Sequence, residues 1–207
     1  MTTQPQQAPD DGPALRVVIA EDEALIRLDL REMLTDAGYD VVGEAGDGAR
    51  ALELVEQLQP DLVLLDVRMP VMDGITAAES IATRRLAPVV MVTAYAQREQ
   101  VERARDAGAM AYVVKPFTAA DLVPAIEMAR SRFSEITTLE SEVADLAERL
   151  ETRKLVEQAK ARLQSVFSLS EPDSFRWIQR TAMDKRTSMR EVARLVLDEV
   201  PGEMSDE

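Results

Sequence analysis

The chain contains no cysteine and no histidine among its 207 residues. The lack of cysteine excludes a disulfide framework and thiol chemistry. The lack of histidine excludes zinc sites of the usual kind and any imidazole acid or base. Any catalysis by this protein must therefore use carboxylates, lysine or hydroxyl groups.

Long hydrophobic runs are also missing, since no apolar stretch approaches the ~18 residues that a membrane span needs. Residues 1–14, MTTQPQQAPDDGPA, lack the basic region and apolar core of a signal peptide, so we expect a disordered polar tail. Residues 201–207 are expected to form an acidic tail. The sequence therefore predicts a cytoplasmic protein, and its length favours one domain of ordinary size plus a smaller one.

Positive charge is scarce, because 24 Lys and Arg stand against 38 Asp and Glu and give a net charge of -14. So acidic a chain would not ordinarily bind nucleic acid. Residues 152–198, however, hold 10 basic and 6 acidic side chains, a net +4, which leaves -18 for the remainder. This asymmetry indicates an interaction module near the C-terminal end.

Short β-branched runs alternate with amphipathic stretches between Arg16 and Phe117. Five runs are predicted as strands: RVVIAE, DVVGEA, DLVLLD, PVVMVT and AYVVKP. The inner runs are apolar on both faces, which is typical of a parallel sheet covered by helices on both sides. With right-handed crossovers, the predicted fold is α/β, a doubly wound five-stranded parallel sheet.

One helical pattern then runs from Thr118 to about Leu150, which is long for a globular protein. Its apolar positions change heptad register near residue 136. The second register consists of Ile136, Leu139, Val143, Leu146 and Leu150. Residues 131–151, called the stalk below, either pack on their own domain or form a coiled coil with a second chain, and we favour the coiled coil.

Three short helices are predicted from Arg153 onward: RKLVEQAKARLQSVF, EPDSFRWIQRTAMD and MREVARLVLDEV. Ser170 with Asp173, and Ser188 with Glu191, have the spacing of helix N-terminal caps. We therefore expect a small three-helix bundle after the stalk.

Polar side chains lie where the predicted strands end. Glu21 and Asp22 follow the first strand, and Asp66, Thr93 and Lys115 end the third, fourth and fifth. The carboxyl ends of parallel strands meet at one edge of a sheet, so these side chains should share a cleft. Clustered carboxylates repel one another unless a divalent cation joins them, and Mg²⁺ is the expected ion. The residue types suit phosphoryl transfer, with Asp66 as nucleophile and Lys115, Thr93 and the metal stabilising the transferred group.

Four motifs, IAEDE, LLDVRMPVMDG, VTA and YVVKPF, resemble in order those of the receiver domain of two-component response regulators, with its flavodoxin-like fold. The resemblance covers roughly residues 14–130. It implies that Asp66 is the phosphoacceptor and that Mg²⁺ is held by Asp22, Asp66 and the backbone carbonyl of Arg68, with help from Glu21. It further implies that Thr93 and Lys115 contact the phosphoryl group. Tyr112 resembles the switch residue that moves with Thr93.

Two other motifs fit less well. GEAGDG, residues 43–48, has its glycines in the wrong order for a dinucleotide fingerprint. Haloacid-dehalogenase-like phosphatases also use an Asp nucleophile, but they need a second Asp two residues later, where this chain has Arg68. An independent phosphatase is therefore the weakest alternative.

The segments RKLVEQAKARLQ, SEPDSFRWIQRTAMDKR and TSMREVARLVL resemble the ANTAR domain, a three-helix RNA-binding antiterminator module. Helical spacing places several basic side chains outward. The candidates for RNA contact are Arg153, Lys160, Arg176, Arg180, Lys185 and Arg186. Trp177 lies at the edge of the inward arc, and we expect it in the core rather than as a platform for stacked bases.

The whole chain resembles phosphorylation-dependent antitermination regulators. We divide it into a receiver (15–130), the stalk (131–151) and an ANTAR domain that includes part of the stalk (136–200). The resemblance implies that a sensor histidine kinase phosphorylates Asp66, that phosphorylation promotes a homodimer, and that the dimer binds RNA hairpins near terminators. Beyond its own phosphoryl transfer and dephosphorylation it would not be an enzyme. A DNA-binding response regulator and a protein-binding adaptor remain as alternatives.

Overall fold

The computed structural model describes residues 13–94 and 98–200. Nearly all of the two predicted tails lies outside these ranges. The chain divides into two compact units, Met1–Thr137 and Thr138–Glu207. Within the described ranges, no helix combines the length and apolar character that crossing a membrane requires.

The first unit is a five-stranded parallel sheet in the order β2-β1-β3-β4-β5. The strands are β1 (Arg16–Ala20), β2 (Asp40–Ala45), β3 (Leu62–Asp66), β4 (Val89–Thr93) and β5 (Ala111–Val114). The connecting helices are α1 (Ala24–Asp36), α2 (Gly48–Leu58), α3 (Gly74–Thr83) and α4 (Arg98–Asp106). The predicted doubly wound fold is therefore confirmed.

The two faces of the sheet form separate apolar cores, as the period-two alternation of a strand requires. Leu62 and Leu64 of β3 pack on one side with residues of α1, while Val63 and Leu65 pack on the other with residues of α2 and α3. Every residue of β3 is buried. The central strand thus brings its last residue, Asp66, to the sheet edge in a fixed position.

Helix α5 runs without interruption over Ala119–Phe167. We predicted a break near Leu150, and this is wrong: the stalk and the first helix of the bundle form one helix. No glycine or proline lies between Leu150 and Phe167, so nothing in the local sequence ends the helix there. In the first unit, Leu122, Ile126 and Ala129 of α5 are buried against the sheet.

The second unit is built from the end of α5 with α6 (Glu171–Lys185) and α7 (Met189–Glu199). Its core contains eight buried side chains: Val156, Ala159, Leu163, Ile178, Ala182, Val192, Ala193 and Val196. Both predicted caps are present, since Ser170 accepts from the amide of Asp173 and Ser188 forms a complete capping box with Glu191. The predicted small bundle is therefore confirmed.

The apolar stripe of the stalk is not covered within the second unit. Leu139, Val143, Leu146 and Leu150 are between 59% and 65% exposed. Ile136, at the end of the first unit, is partly buried. The part of α5 that follows the register change therefore presents an apolar face to solvent.

Candidate phosphorylation site and C-terminal basic surface

The strand ends bring the predicted acidic side chains together. Asp66 and Glu21 are buried, whereas Asp22 is exposed. Ligand oxygens of these three carboxylates lie within 4.8 Å of one another. A cavity of about 230 Å³ opens beside Asp66 and is lined also by Thr93 and Lys115. All five side chains predicted for the cleft therefore lie at one edge of the sheet.

Lys115 joins the two buried carboxylates. Its Nζ lies 2.6 Å from Oε2 of Glu21 and 2.7 Å from Oδ1 of Asp66. The other Asp66 oxygen, Oδ2, accepts a 2.8 Å hydrogen bond from the backbone N–H of Arg68. Asp66 is thus held by a donor at each oxygen, which fixes its carboxylate in the wall of the cavity.

Burial and charge act together on the titration of this cluster. Burial raises the pKa of Glu21, a hydrogen bond from Lys115 opposes this, and the charge of Asp66 adds to it, so that the net shift is upward. Burial alone would lower the pKa of Lys115, but hydrogen bonds and charges from Asp66 and Glu21 outweigh it and raise the pKa. Lys115 is therefore held firmly in its charged form.

The cluster has a charge of -2 when its three carboxylates and one ammonium are ionised. A divalent cation would neutralise this charge. Carboxylate oxygens are the ligands that Mg²⁺ prefers, and the group contains no nitrogen or sulfur donor suited to softer metals. The donor set therefore fits the predicted Mg²⁺, with Glu21, Asp22 and Asp66 as the residues able to hold it.

The two predicted switch residues lie on neighbouring strands. Thr93 is buried at the end of β4, and Tyr112 of β5 is 50% exposed. Both line a small cavity together with Val101 and Ala104 of α4. The aromatic side chain is therefore half-exposed, beside a small cavity that it shares with Thr93 and α4.

Sequence reasoning missed several residues that shape the site. Glu23 and Ala94 also line the cavity next to Asp66. Arg27 donates a 2.5 Å hydrogen bond from Nη1 to the carbonyl of Glu21, which anchors the β1–α1 loop. A Cβ on Gly74 would collide with the carbonyl oxygen of Asp66, so only glycine fits there. The DG pair that begins α3 was the available signal.

The predicted RNA-contact residues differ in their availability. Lys160 is buried, with Nζ 2.5 Å from Glu171 and 3.0 Å from Glu157, and these carboxylates raise its pKa. Arg176 is exposed but pairs with Asp173 at 2.9 Å. The remaining candidates are exposed and have no ion pair within the described part of the chain: Arg153, Arg180, Lys185 and Arg186. Lys160 therefore lies on α5 and forms an ion pair with the first residue of α6, so it is less available to RNA than the exposed candidates.

Trp177 is 44% exposed, so our expectation of a core position is wrong. The core face of α6 is narrow, because Ser174, Ile178 and Ala182 recur every fourth residue. Trp177 lies one position outside this stripe and one turn before Arg180 on the outer face.

Two family models match the chain. The response regulator receiver domain matches residues 17–127, and the ANTAR domain matches residues 144–197. The transcriptional regulatory protein PdtaR of Mycobacterium tuberculosis is 62% identical over 196 residues, which cover 95% of this chain and 96% of that protein.

Solved structures agree for the first unit. The receiver domain of the response regulator NarL from M. tuberculosis superposes with a TM-score of 0.54 at 34% identity, covering 57% of this chain and 98% of that one. CheY from Borrelia burgdorferi, solved as a CheX-CheY-BeF3-Mg complex, gives a TM-score of 0.51 at 28% identity, covering 57% and 89%. With these matches, the acidic cluster and the helical unit have a common explanation: the chain belongs to the response regulators that join a receiver domain to a C-terminal ANTAR domain.

Proposed function

We propose that this response regulator takes a phosphoryl group on Asp66 and, in that state, binds RNA hairpins through its ANTAR domain to prevent transcription termination. The observation that carries the proposal is the placement of Asp66. Its two oxygens are held by the Lys115 ammonium and the Arg68 amide in the wall of a cavity. A receiver of this kind takes its phosphoryl group from a sensor histidine kinase.

The phosphoryl transfer needs little beyond positioning and neutralisation of charge. An Asp66 carboxylate oxygen attacks the phosphorus of the kinase phosphohistidine. The O–P bond forms as the P–N bond breaks, and the imidazole nitrogen leaves with the bonding electrons. A carboxylate nucleophile requires no general base. Attack of water on the same phosphorus releases inorganic phosphate and restores the Asp66 carboxylate. In this proposal the chain catalyses no reaction beyond the gain and loss of its own phosphoryl group.

Glu21, Asp22 and Asp66 would hold Mg²⁺, with the Arg68 carbonyl as a further oxygen ligand. When bound, the ion supplies positive charge that offsets the charge of the transferred phosphoryl oxygens. Lys115 supplies the second positive charge. Its Nζ already contacts Asp66 and would bind an oxygen of the phosphoryl group once that group is attached. The buried Thr93 at the cavity wall would donate its hydroxyl to a phosphoryl oxygen.

We further propose that Thr93 and Tyr112 transmit the change. Phosphorylation of a side chain adds a charge of about -1.5 to -2 at neutral pH. If Thr93 moves towards the new oxygens, it leaves space into which the half-exposed Tyr112 ring can turn, next to α4. To convert a switch from about 1% to about 99% active, phosphorylation must favour the active form by about 5.5 kcal/mol.

In this proposal the ANTAR domain, residues 136–200, is the part of the chain that binds the ligand when the receiver, residues 15–130, is phosphorylated. Residues 152–198 have a net charge of +4 within a strongly acidic chain, which supports a polyanionic ligand at this end. The exposed basic side chains on α6 and the turn after it, Arg180, Lys185 and Arg186, support RNA contact there. A phosphorylation-promoted homodimer would present two such surfaces.

Phosphoryl transfer is tested with Asp66→Asn in a transfer assay with labelled donor. We expect complete loss of label, because the amide is a poor nucleophile. The matched control is Asp73→Asn, because Asp73 caps α3 through the amide of Thr76 and asparagine caps a helix equally well. Uptake of label by Asp66→Asn would disprove the site.

RNA binding is tested by comparing a looped RNA hairpin with duplex DNA at the same salt concentration, using phosphorylated full-length protein. We expect tighter binding to the hairpin. Stronger binding to the duplex would favour a DNA-binding regulator. Absence of any salt-sensitive binding to nucleic acid would favour a protein-binding adaptor.

A further inference from the structure

We infer that the exposed stripe of the stalk pairs antiparallel with the same stripe of a second copy, in one defined register. The stripe consists of Leu139, Val143, Leu146 and Leu150. The inference rests on the homodimer of the proposed function and adds its orientation and contacts. A second copy is the occupant that the charges beside the stripe favour.

The stripe and the bundle use opposite sides of α5. The bundle side includes Val156 and Ala159, which are buried, and Glu148 and Glu151, which bind Arg190 of α7 at 2.9 and 2.7 Å. With 3.6 residues in each helical turn, the stripe lies roughly half a turn around the helix from these side chains. The helices of the bundle therefore leave the stripe open to another chain.

The spacing of the stripe assigns its heptad positions. Leu139 and Leu146 take position d, and Val143 and Leu150 take position a. The flanking positions of the seam, e and g, then follow from the sequence. Position g holds Glu135, Glu142 and Arg149, and position e holds Glu140, Ala147 and Lys154.

A parallel pair would place each g residue against the following e residue of the partner. Arg149 would then face Lys154 of the partner subunit, and Glu135 would face Glu140 of the partner subunit. Glu142 would face Ala147 of the partner subunit and gain no charge contact. Every charged pair in a parallel stalk is therefore repulsive.

An antiparallel pair instead brings g against g and e against e. When Val143 packs against Leu146 of the partner subunit, Leu139 packs against Leu150 of the partner subunit. Glu142 then faces Arg149 of the partner subunit, and the two-fold symmetry makes this opposite-charge contact twice. No like charges meet in this arrangement.

The same contacts select the register. A shift of one heptad in one direction would place Glu142 against Glu142 of the partner subunit. A shift in the other direction would place Arg149 against Arg149 of the partner subunit. The first shift also pairs Glu135 with Arg149 of the partner subunit, and the second pairs Glu140 with Lys154 of the partner subunit. Each shift therefore mixes opposite-charge and like-charge contacts. Only the arrangement centred between Val143 and Leu146 has opposite-charge contacts without a like-charge contact, so it is the one that the sequence supports.

Cysteine cross-linking tests the orientation, because the natural chain has no cysteine. Leu139→Cys and Leu150→Cys variants of the full chain are phosphorylated with acetyl phosphate and treated with a short bismaleimide. We expect covalent dimers only when the two variants are mixed. In the antiparallel register, two copies of one substituted position lie about 16 Å apart, since 11 residues separate positions 139 and 150. Cross-linking of either variant with itself, or no cross-link in the mixture, would overturn the inference.

Charge reversal gives a second measurement that does not depend on cross-linking. We expect Arg149→Glu to weaken the phosphorylated dimer roughly tenfold in sedimentation equilibrium. The double variant Glu142→Arg, Arg149→Glu should restore it. A parallel dimer would respond oppositely to Arg149→Glu, because the reversed charge would attract Lys154 of the partner subunit.

Measurements on the same samples separate this inference from the proposed function. Label on Asp66 and hairpin affinity report the proposed function, whereas the cross-linking pattern reports the orientation. A labelled, hairpin-binding protein with same-position cross-links refutes the antiparallel stalk alone. Loss of dimer formation in the phosphorylated natural chain refutes both the homodimer and the stalk contact.

Discussion

Replacing Lys115 by methionine removes the ammonium that joins two buried carboxylates while keeping most of the side chain volume. The Nζ lies 2.6 Å from Glu21 and 2.7 Å from Asp66, and the Lys115 side chain is only 14% exposed. At an effective dielectric constant of about 20, each contact corresponds to about 6 kcal/mol of Coulomb attraction. The cost of removing these groups from water offsets most of this gain.

The loss on substitution is larger than the net contribution of the pair, because the carboxylates stay behind without a counter-ion. Breaking such a buried pair by removing one partner costs about 3 to 5 kcal/mol. The cavity beside Asp66 admits water, so we expect the lower end, about 3 kcal/mol, for Lys115→Met at neutral pH without divalent cations.

The pH dependence provides a check of the mechanism. Lys115 has a raised pKa, so its contribution is fully present below its ordinary value of 10.5 and is lost only as the pH rises through the folded-state value. Removal of Lys115 also removes two of the three interactions that lower the pKa of Glu21, its hydrogen bond and its charge, and this pKa then rises further above 4.5. The folded variant therefore binds protons more readily than its unfolded chain, and it should regain stability as the pH falls from neutral. Saturating Mg²⁺ should also reduce the difference from the natural protein.

The loss of stability in the first unit can be measured by hydrogen exchange of the β3 amides, together with urea unfolding followed by circular dichroism. Fluorescence is unsuitable, since the single tryptophan, Trp177, lies in the second unit. Lys115→Arg keeps the charge, and Lys185→Met removes an exposed lysine that has no ion pair in the described ranges. The reasoning is refuted if Lys115→Met is as stable as Lys185→Met near pH 7.5, or if its deficit does not change with pH.

Three further substitutions test separate parts of the structure. Val71 has φ of 64° and is 89% exposed, so Val71→Asn should relieve backbone strain with little loss of buried surface. The free energy of unfolding in urea should rise by about 1 kcal/mol, and an unchanged value would contradict the idea that Val71 is strained. Gly74→Ala should lower phosphoryl uptake, because the new methyl group would displace the Asp66 carbonyl. In the control Gly46→Ala the methyl group meets only an arginine side chain, so uptake should be normal; equal uptake by both variants would contradict this steric argument. Trp177→Ala should weaken hairpin binding at least about fivefold if bases stack on the indole, since stacking contributes about 1 to 3 kcal/mol per base. Trp177→Phe should retain most of the affinity in the same titration.

The proposed phosphorylation site could be located from sequence because its geometry follows from the sheet. Once the strands are parallel, their carboxyl ends share one edge, and Asp66, Thr93 and Lys115 each lie at or directly after such an end. The period-two pattern of each strand also fixed which face its side chains take. The close approach of Gly74 to the Asp66 carbonyl was harder to predict from the sequence, because it depends on the path of a loop rather than on periodicity.

The surface of the second unit was harder to predict, because it depends on contacts between helices. Lys160 was assigned outward from its helical position, yet it is buried because Glu171 at the start of α6 meets it from another helix. Trp177 was expected in the core because it lies at the edge of the inward arc, yet it is 44% exposed, and the buried face of α6 consists of Ser174, Ile178 and Ala182. Neither position has a signal in the spacing of a single helix.

These contacts limit which positive charges are available for the proposed binding of RNA. Of the 10 basic side chains in residues 152–198, four already have protein partners: Lys160, Arg162, Arg176 and Arg190. The other six have no ion pair or hydrogen bond from their side chains within the described ranges: Arg153, Lys154, Arg180, Lys185, Arg186 and Arg194. Each phosphate contact contributes about 0.7 to 0.9 to the slope of log affinity against log salt, so one bundle should not exceed a slope of about -5. A substitution that weakens binding without changing this slope would act through the fold of the bundle, as we expect for Lys160, rather than through a contact with phosphate.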